Sequence, residues 1–462
     1  MFKKEIYIKR RKNLREKMSS GLLLFLGNQD VAFNYPANIY PFRQDSSFVY
    51  FFGIDQPGLA AVIDVESGEE IIFGNELTID DIIWMGKLPT IKDLSEKVGI
   101  SNVLPSSELS VILSTAIKLN RKIHYLPPYR GEIKHQIENL IGIKYDLTRD
   151  YASIELIKAV VSLRSIKDAL EVAEIEKMVD VAYKMHTTAM KLAKPGVKEQ
   201  QITGAITGVT WEHEGFLSFP AIVTVNGQTL HNNYYGNTLK EGQLLVCDSG
   251  AEAYSKYCSD ITRTTPVGGK FNERQKEIYE IVLKANLAVI DNVKPDIFYK
   301  DMHILSAKTI AQGLKDVGII KGNVDDAVAA GAHALFYPHG LGHMLGLDVH
   351  DMEGFGENYV GYDKEIQRAT QFGLAFLRLG RRLKPGFVIT VEPGIYFIPE
   401  LIDIWKSENK LSEFINYDKV ETYKDFGGIR IEDDILITET GARVLGKPIP
   451  KTVADVEKMC AE

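Results

Sequence analysis

Four carboxylates in this chain lie inside, or at the ends of, runs that read as buried β-strands. QLLVCDSG carries Asp248, YCSDITRT carries Asp260, FVITVEPG carries Glu392 and GIRIEDDILIT carries Glu432. Burying one unpaired carboxylate costs several kcal/mol, so a fold that buries all four must supply positive charge beside them. Arg430 neutralises one; a pair of metal ions neutralises the set. In GIRIEDDILIT, Ile429, Ile431 and Ile435 share one strand parity, which turns Arg430, Glu432 and Asp434 to the opposite face.

Singly, each acid has an ordinary reading. Asp248 beside glycine suits a turn, Asp260 has Arg263 nearby for a salt bridge, Glu392 before Pro393 suits a strand end facing water, and Glu432 opens a run of acids. The set becomes specific when a histidine cluster is added. His333, His339, His343 and His350 lie close together, three of them in YPHGLGHMLGLDVHD. Gly340, Gly342 and Gly346 argue against a helix there, so the segment is expected as loop or strand. Imidazole is the commonest neutral metal ligand and a standard acid–base group. Oxygen ligands with one imidazole and no thiolate favour Mn²⁺, with Co²⁺, Zn²⁺ or Fe²⁺ behind it. Four carboxylates suit two ions that share bridging ligands, and such a pair serves hydrolysis.

The rest of the chain reads as a soluble globular protein. It has 462 residues and a net charge of −8, an acidic balance that argues against broad nucleic-acid binding. Cys247, Cys258 and Cys460 form no CxxC pair, which suits a reducing compartment. GLLLFLG at 21–27 is short for a signal segment, and no apolar run is long enough to span a membrane. A cytoplasmic protein is therefore expected. Residues 1–155 alternate strands and helices, as in an α/β layer. GLLLFLG, SFVYFFG (47–53), LAAVIDV (59–65) and EEIIFG (69–74) are expected strands and 107–120 a helix. A second region, 156–462, opens with a helical period from Ser162 to about Lys194, continues with helices around 198–213 and 272–293, and turns to strands and glycines from 219 onward. That mixture predicts an α+β domain.

DSGAE with SDITRT, HGLGHMLGLDVHD, TVEPGIYF and GIRIEDD together resemble the signature segments of the pita-bread metallopeptidases, the family of methionine aminopeptidase, aminopeptidase P and prolidase. FRQDSSFVYFFGIDQPG (42–58) and IIWMGKLP (82–89) are similar to the N-terminal domain of aminopeptidase P and prolidase, which methionine aminopeptidase lacks. FLRLGRRLKPGFVITVEPGIYFIPELID (376–403), DFGGIRIEDD and IPKTVADVEKM look closest to the prolidase branch. The resemblance implies a C-terminal pita-bread catalytic domain behind an α/β N-terminal domain, and metal-dependent cleavage of Xaa-Pro dipeptides by a homodimer. It makes Asp248, Asp260, His343, Glu392 and Glu432 the metal ligands, with Glu392 also a general base. It places His231, His339 and His350 around the scissile bond and makes Arg430, two residues before the last ligand, a further catalytic residue. It gives Arg378 the substrate's C-terminal carboxylate, and Trp84 a reach into the partner subunit's site.

Asp248 and Asp260 are twelve apart where the family's usual spacing is eleven, so the turn between their strands must absorb one residue. The segment 359–373 carries no motif; a loop over the site entrance and a plain surface insertion are both open. Aminopeptidase P activity on longer peptides is the main alternative, and Arg378 with 359–373 discriminates. A non-catalytic peptide-binding module and a metal-free hydrolase such as creatinase share the fold, but the intact ligand set argues against both.

Overall fold

The computed structural model describes residues 2–462. They form two compact units: one runs to Arg164 and adds Met352–Tyr359, the other takes Ser165–Asp351 and Val360–Glu462.

The first unit is a five-stranded mixed sheet flanked by helices. Strands β1 (Leu22–Leu26), β2 (Ala60–Asp64), β3 (Glu70–Phe73), β4 (Asn102–Leu104) and β5 (Ile123–His124) run in the order β4-β3-β2-β1-β5. The outer strands β4 and β5 pair parallel to their neighbours, and the inner pairings are antiparallel. The helices are α1 (Lys4–Arg15), α2 (Ser46–Phe52), α3 (Ile79–Met85), α4 (Ile91–Lys97), α5 (Ser107–Lys118), α6 (Gly131–Ile141) and α7 (Ile154–Arg164). Position 155 falls within α7, which packs with the first unit.

SFVYFFG, expected as a strand from its aromatic and β-branched content, is α2 instead. Its ends decide the matter. Asp45 accepts the N–H groups of Ser47 and Phe48, both at 2.9 Å, and Gly53 closes the helix at φ 64° with its N–H on the Val49 carbonyl. A capped start and a left-handed glycine stop outweigh the weak strand preference of the residues between them.

The second unit opens with α8 (Ala169–Leu192) and α9 (Glu199–Glu212) and later adds α10 (Glu273–Asn292) and α11 (Tyr299–Asp316). The helix expected to run from Ser162 is broken at 165–168. Asp168 caps α8 by accepting from Leu170 and Glu171, and the Glu171 carboxylate accepts the Asp168 N–H in return. Two helices in succession give one apolar rhythm on paper. Helix α11 was not foreseen; it packs on α10, burying Ile310, Ala311 and Leu314 against Ile278, Val282 and Ala285.

Against these helices lie short antiparallel strands: β6 (Gly215–Leu217), β7 (Ile222–Thr224), β8 (Leu244–Ser249), β9 (Ala251–Ala253), β10 (Ile261–Pro266), β11 (Val388–Val391), β12 (Gly394–Tyr396), β13 (Gly428–Arg430), β14 (Asp433–Ile437) and β15 (Ala442–Val444). They form ladders β10-β8-β7, β11-β14-β15, β12-β13 and β6-β9. Thr262 faces Asp248 across β8 and β10, so Asp260, two residues earlier, shares the face of Asp248. The chain between them makes an excursion through β9. AEAYSKY closes with a three-residue loop, Lys256 at φ 72° and Ala253 bonded to Tyr257, which is how the hairpin takes up its length.

Val391 pairs with Asp433 and Gly394 with Arg430 in one continuous register. That register sets Glu392 across from Glu432 in the gap where Pro393 interrupts the ladder. Behind it the buried Arg263 guanidinium donates to the Glu432 carbonyl at 2.6 Å and to Asp433 Oδ1 at 2.7 Å, and Lys451 donates to Asp433 Oδ2 at 2.6 Å. Burial works against the Asp433 charge, and Arg263 and Lys451 override it, holding its carboxyl far below the ordinary range.

Asp433→Asn leaves two cations facing a neutral amide and costs about 3–5 kcal/mol of stability near pH 7. A depressed folded-state pKa adds stability above the unfolded value of about 3.9 and loses it as pH falls through the folded value. Thermal melts should therefore show a gap between wild type and variant that is constant above about pH 5 and narrows below pH 4. A gap that widens in acid would contradict the assignment.

Candidate active site

The carboxylate-bearing strands and the glycine-rich histidine segment meet at a cavity of about 500 Å³ in the second unit. Its wall includes Asp248, Asp260, His343, Glu392 and Glu432, together with His231, His339, His350, Arg378 and Arg430. Phe219, Pro220, Ile222, Leu230, Val349 and Phe376 form an apolar side. Every site residue expected from the sequence, Trp84 excepted, lines this one cavity. Trp84 lies on α3 of the first unit, 86% exposed, on a helix that buries none of its side chains.

The histidine segment has almost no regular structure, as its glycines require. It is held edge-on to β11: the Thr390 N–H donates to the His343 carbonyl, the Glu392 N–H to that of Leu341, and Met344 bridges Ile389. Gly342 permits this approach, because a Cβ there would stand 2.2 Å from the Thr390 carbonyl oxygen.

The electrostatics are those of a site short of positive charge. Asp248, Asp260, His343 and Glu432 are buried and Glu392 nearly so. The closest atoms of Asp260, His343 and Glu432 lie within 4.8 Å of one another. His343 Nδ1 meets the Met344 carbonyl at 3.0 Å, so Nδ1 carries the proton and Nε2 presents a lone pair. That lone pair faces Asp260 Oδ2 at 3.4 Å and Glu392 Oε1 at 3.6 Å. Acceptors opposing acceptors repel unless a cation lies between them. Burial pushes the Asp260, Glu392 and Glu432 carboxyls upward, and the neighbouring acids push Asp260 and Glu432 further. Asp248 Oδ1 and Asp260 Oδ1 are buried with no hydrogen-bond partner. Lone pairs without donors, in an all-oxygen set with one imidazole, fit hard-to-borderline divalent ions.

Arg430 is already committed. Its Nη2 donates to Asp248 Oδ2 at 2.6 Å, Nη1 to the Tyr396 hydroxyl at 2.9 Å and Nε to Thr262 at 3.1 Å. Burial opposes its charge, and Tyr396, Asp248 and Glu432 more than restore it. The Thr262 hydroxyl in turn donates to Glu432 Oε2 at 2.6 Å. His339 Nδ1 meets the Gly340 carbonyl at 2.8 Å and Nε2 meets Tyr396 at 2.9 Å. Since Arg430 donates to that hydroxyl, its proton points to His339. Burial and Arg430 hold the His339 imidazole neutral, its pKa lowered to about 3. His231 keeps an exposed edge at the rim, and partial burial with Arg430 lowers its pKa. The His343 and His350 rings are 4.1 Å apart.

Several ordinary readings fall away. Arg263 pairs with Asp433 rather than Asp260, and Glu432, Asp433 and Asp434 are buried rather than solvated. Asp434 lies outside the cavity lining and accepts the Asp260 N–H at 2.9 Å. The arginine run is only partly a solvated face, with Arg382 exposed and Arg378 and Arg381 half-buried. Arg381 reaches Ser165, Arg382 reaches Glu365 and the Asp296 carbonyl, and Arg378 alone of the three lines the cavity. Beside it, the segment from Gly361 to Gly373 is mostly exposed, with the Tyr362 hydroxyl tied to the Leu377 carbonyl and Gly361 to Gly380. Sequence reasoning missed Tyr396, Thr262 and Thr390. The signal for the first two was parity, since Thr262 follows Asp260 by two and Tyr396 follows Gly394, the partner of Arg430, by two.

Both parts of the chain resemble known proteins. Residues 173–439 match metallopeptidase family M24, and residues 7–125 match the aminopeptidase P N-terminal domain. The chain is 32% identical to human Xaa-Pro dipeptidase over 430 residues, covering 91% of this chain and 84% of that protein. It is 33% identical over 436 residues to a probable Xaa-Pro aminopeptidase of Emericella nidulans, covering 91% and 89%. Among solved structures, Pseudomonas aeruginosa aminopeptidase PepP superposes with a TM-score of 0.81 at 27% identity, over 100% of this chain and 98% of that one. Zn-substituted Escherichia coli aminopeptidase P in complex with product gives 0.81 at 28%, with the same coverage.

Because Asp260, Glu392 and Glu432 hold their protons more tightly than ordinary carboxyls, divalent metal binding to the metal-free protein near pH 6 should release protons. Titration calorimetry in two buffers of different ionisation enthalpy reads that release. Identical heats in both buffers would contradict the electrostatic account.

Proposed function

Because the chain belongs to metallopeptidase family M24, we propose that it hydrolyses the peptide bond preceding proline, with Xaa-Pro dipeptides as its preferred substrates. The observation that carries this reading is the placement of Arg378 in the same cavity as the five ligand groups, while its two arginine neighbours are engaged elsewhere.

Asp248, Asp260, His343, Glu392 and Glu432 would hold two divalent ions, Mn²⁺ favoured and Co²⁺, Zn²⁺ or Fe²⁺ admissible. When bound, the ions supply Lewis acidity to water and to the scissile carbonyl. The chain's own residues do the rest. Glu392, whose Oε1 stands 3.6 Å from His343 Nε2, would take the proton of the attacking water and pass it to the departing imino nitrogen. His231, His339 and His350 surround the carbonyl and the departing imino group, and Arg430 with Tyr396 fixes His339 and Asp248. The apolar wall of Phe219, Ile222, Leu230 and Val349 excludes water around the pyrrolidine ring. Arg378 pairs with the free carboxylate of a dipeptide, since a guanidinium–carboxylate fork is geometrically demanding; a longer peptide offers no carboxylate there.

Residues 1–155 form an accessory domain before the catalytic one, and a homodimer with Trp84 reaching the partner's site is part of this reading, as is a cytoplasmic location. Among the described residues no helix is long and apolar enough to cross a membrane. Cleavage of longer peptides is the second reading, favoured by the likeness to aminopeptidase P structures.

The Mn²⁺-loaded protein should cleave Ala-Pro far faster than Ala-Pro-Ala. Arg378→Ala should lower kcat/KM for the dipeptide by about 10²-fold, the equivalent of about 2.7 kcal/mol lost with a charge-assisted pair, with little effect on the tripeptide. Faster tripeptide cleavage, unchanged by the substitution, would make the enzyme an aminopeptidase P and remove the role given to Arg378.

A further inference from the structure

His231 stands at the cavity rim on the segment between Val225 and Asn237, and Leu230 and Asn233 of that segment also line the cavity. Among the described residues no hydrogen bond of its own orients the His231 ring. Its position is set by the segment that carries it, and that segment is gathered at its two stems by one carboxylate.

Glu199, the first residue of α9, is fully buried. Its Oε1 accepts the Val225 N–H at 2.8 Å and the Asn237 side-chain amide at 3.1 Å, and its Oε2 accepts the Asn237 N–H at 3.0 Å. One side chain thereby ties the residue entering the loop to the residue leaving it. The backbone joins in, with the Glu199 N–H on the Asn237 carbonyl and the Gln200 N–H on that of Tyr235, both at 3.0 Å. Inside the loop, Thr224 Oγ1 accepts from the Asn226 N–H and from the Asn232 side chain, each at 3.0 Å. Asn232 is the immediate neighbour of His231.

We infer that Glu199 is a positioning residue, whose buried carboxylate clamps both stems of the 226–236 loop and so holds His231 over the reacting bond. Its position at the start of a helix adds to the effect, since the same end of α9 supplies backbone donors to the same loop. Charge-assisted bonds from backbone N–H groups to a buried carboxylate are the strong kind. An amide in its place must turn its NH₂ towards one of the three donors. The loop then loses its closure, and a rim histidine with no anchor of its own loses its bearing.

This inference rests on the role given to His231 above, and a double-mutant cycle separates the two. Glu199→Gln should lower kcat/KM on Ala-Pro about 10-fold in the wild-type background and less than about 2-fold in His231→Ala, because groups that act through one another are non-additive. Hydrogen exchange of the 226–236 amides should quicken in Glu199→Gln while α10 and α11 keep their protection. Equal losses in both backgrounds, or no loss in wild type, would overturn the positioning role and leave that of His231 intact. Full activity in His231→Ala would remove His231 from the site and this inference with it. If Glu199→Gln does not fold, Asn237→Ala, which deletes one donor to the same carboxylate, takes its place in the cycle with the same expected coupling.

Discussion

The second unit is organised around acceptors that face one another in a desolvated cavity. Asp260 Oδ2 and Glu392 Oε1 face the lone pair of His343 Nε2 at 3.4 and 3.6 Å, with Glu432 grouped beside them, and Arg430, the buried cation beside them, is committed to Asp248. Such a cluster is destabilising on its own. It becomes sensible as the coordination sphere of cations, where crowding of negative charge and burial are what give affinity. The local strain is carried by a scaffold built to hold it: the Arg263–Asp433–Lys451 network linking strands β10 and β14, and Asp434 beneath Asp260.

That division of labour explains why chemistry and stability reside on adjacent residues. In Arg430–Glu432–Asp433–Asp434, the first two line the cavity, the third ties cations on the far side, and the fourth supports the backbone of Asp260. A ladder interrupted at Pro393 makes this possible. The gap frees Glu392 and Glu432 from pairing while the register on either side keeps them opposite each other.

Much of this was legible in the sequence because the acids sit in strands, where parity fixes the face. Asp248, Asp260, Glu392 and Glu432 were found as misfits in apolar runs, and His343 by resemblance of its glycine-rich segment. Thr262 and Tyr396 were readable by the same parity and were passed over because neither is charged. Helix α2 reads as a strand by composition because its helical signal lies in its caps, Asp45 and Gly53, and not in the aromatic residues between them. The gap at 165–168 is hidden in the sequence because Ile166 and Leu170 continue the apolar rhythm on paper, although both are exposed. The pairing of Arg263 with Asp433 rather than Asp260, and the stem clamp at Glu199, depend on tertiary approach that no local pattern encodes.

The chemistry of this cavity depends on the crowded acceptors being a metal site. The most direct measurement is metal stoichiometry by plasma mass spectrometry on the purified protein after saturation with Mn²⁺ and removal of free ion, with Asp260→Asn alongside. Two ions per chain in the wild type and fewer in the variant are predicted, in step with Xaa-Pro hydrolysis. A wild-type chain that retains no ion yet still cleaves Ala-Pro would contradict it.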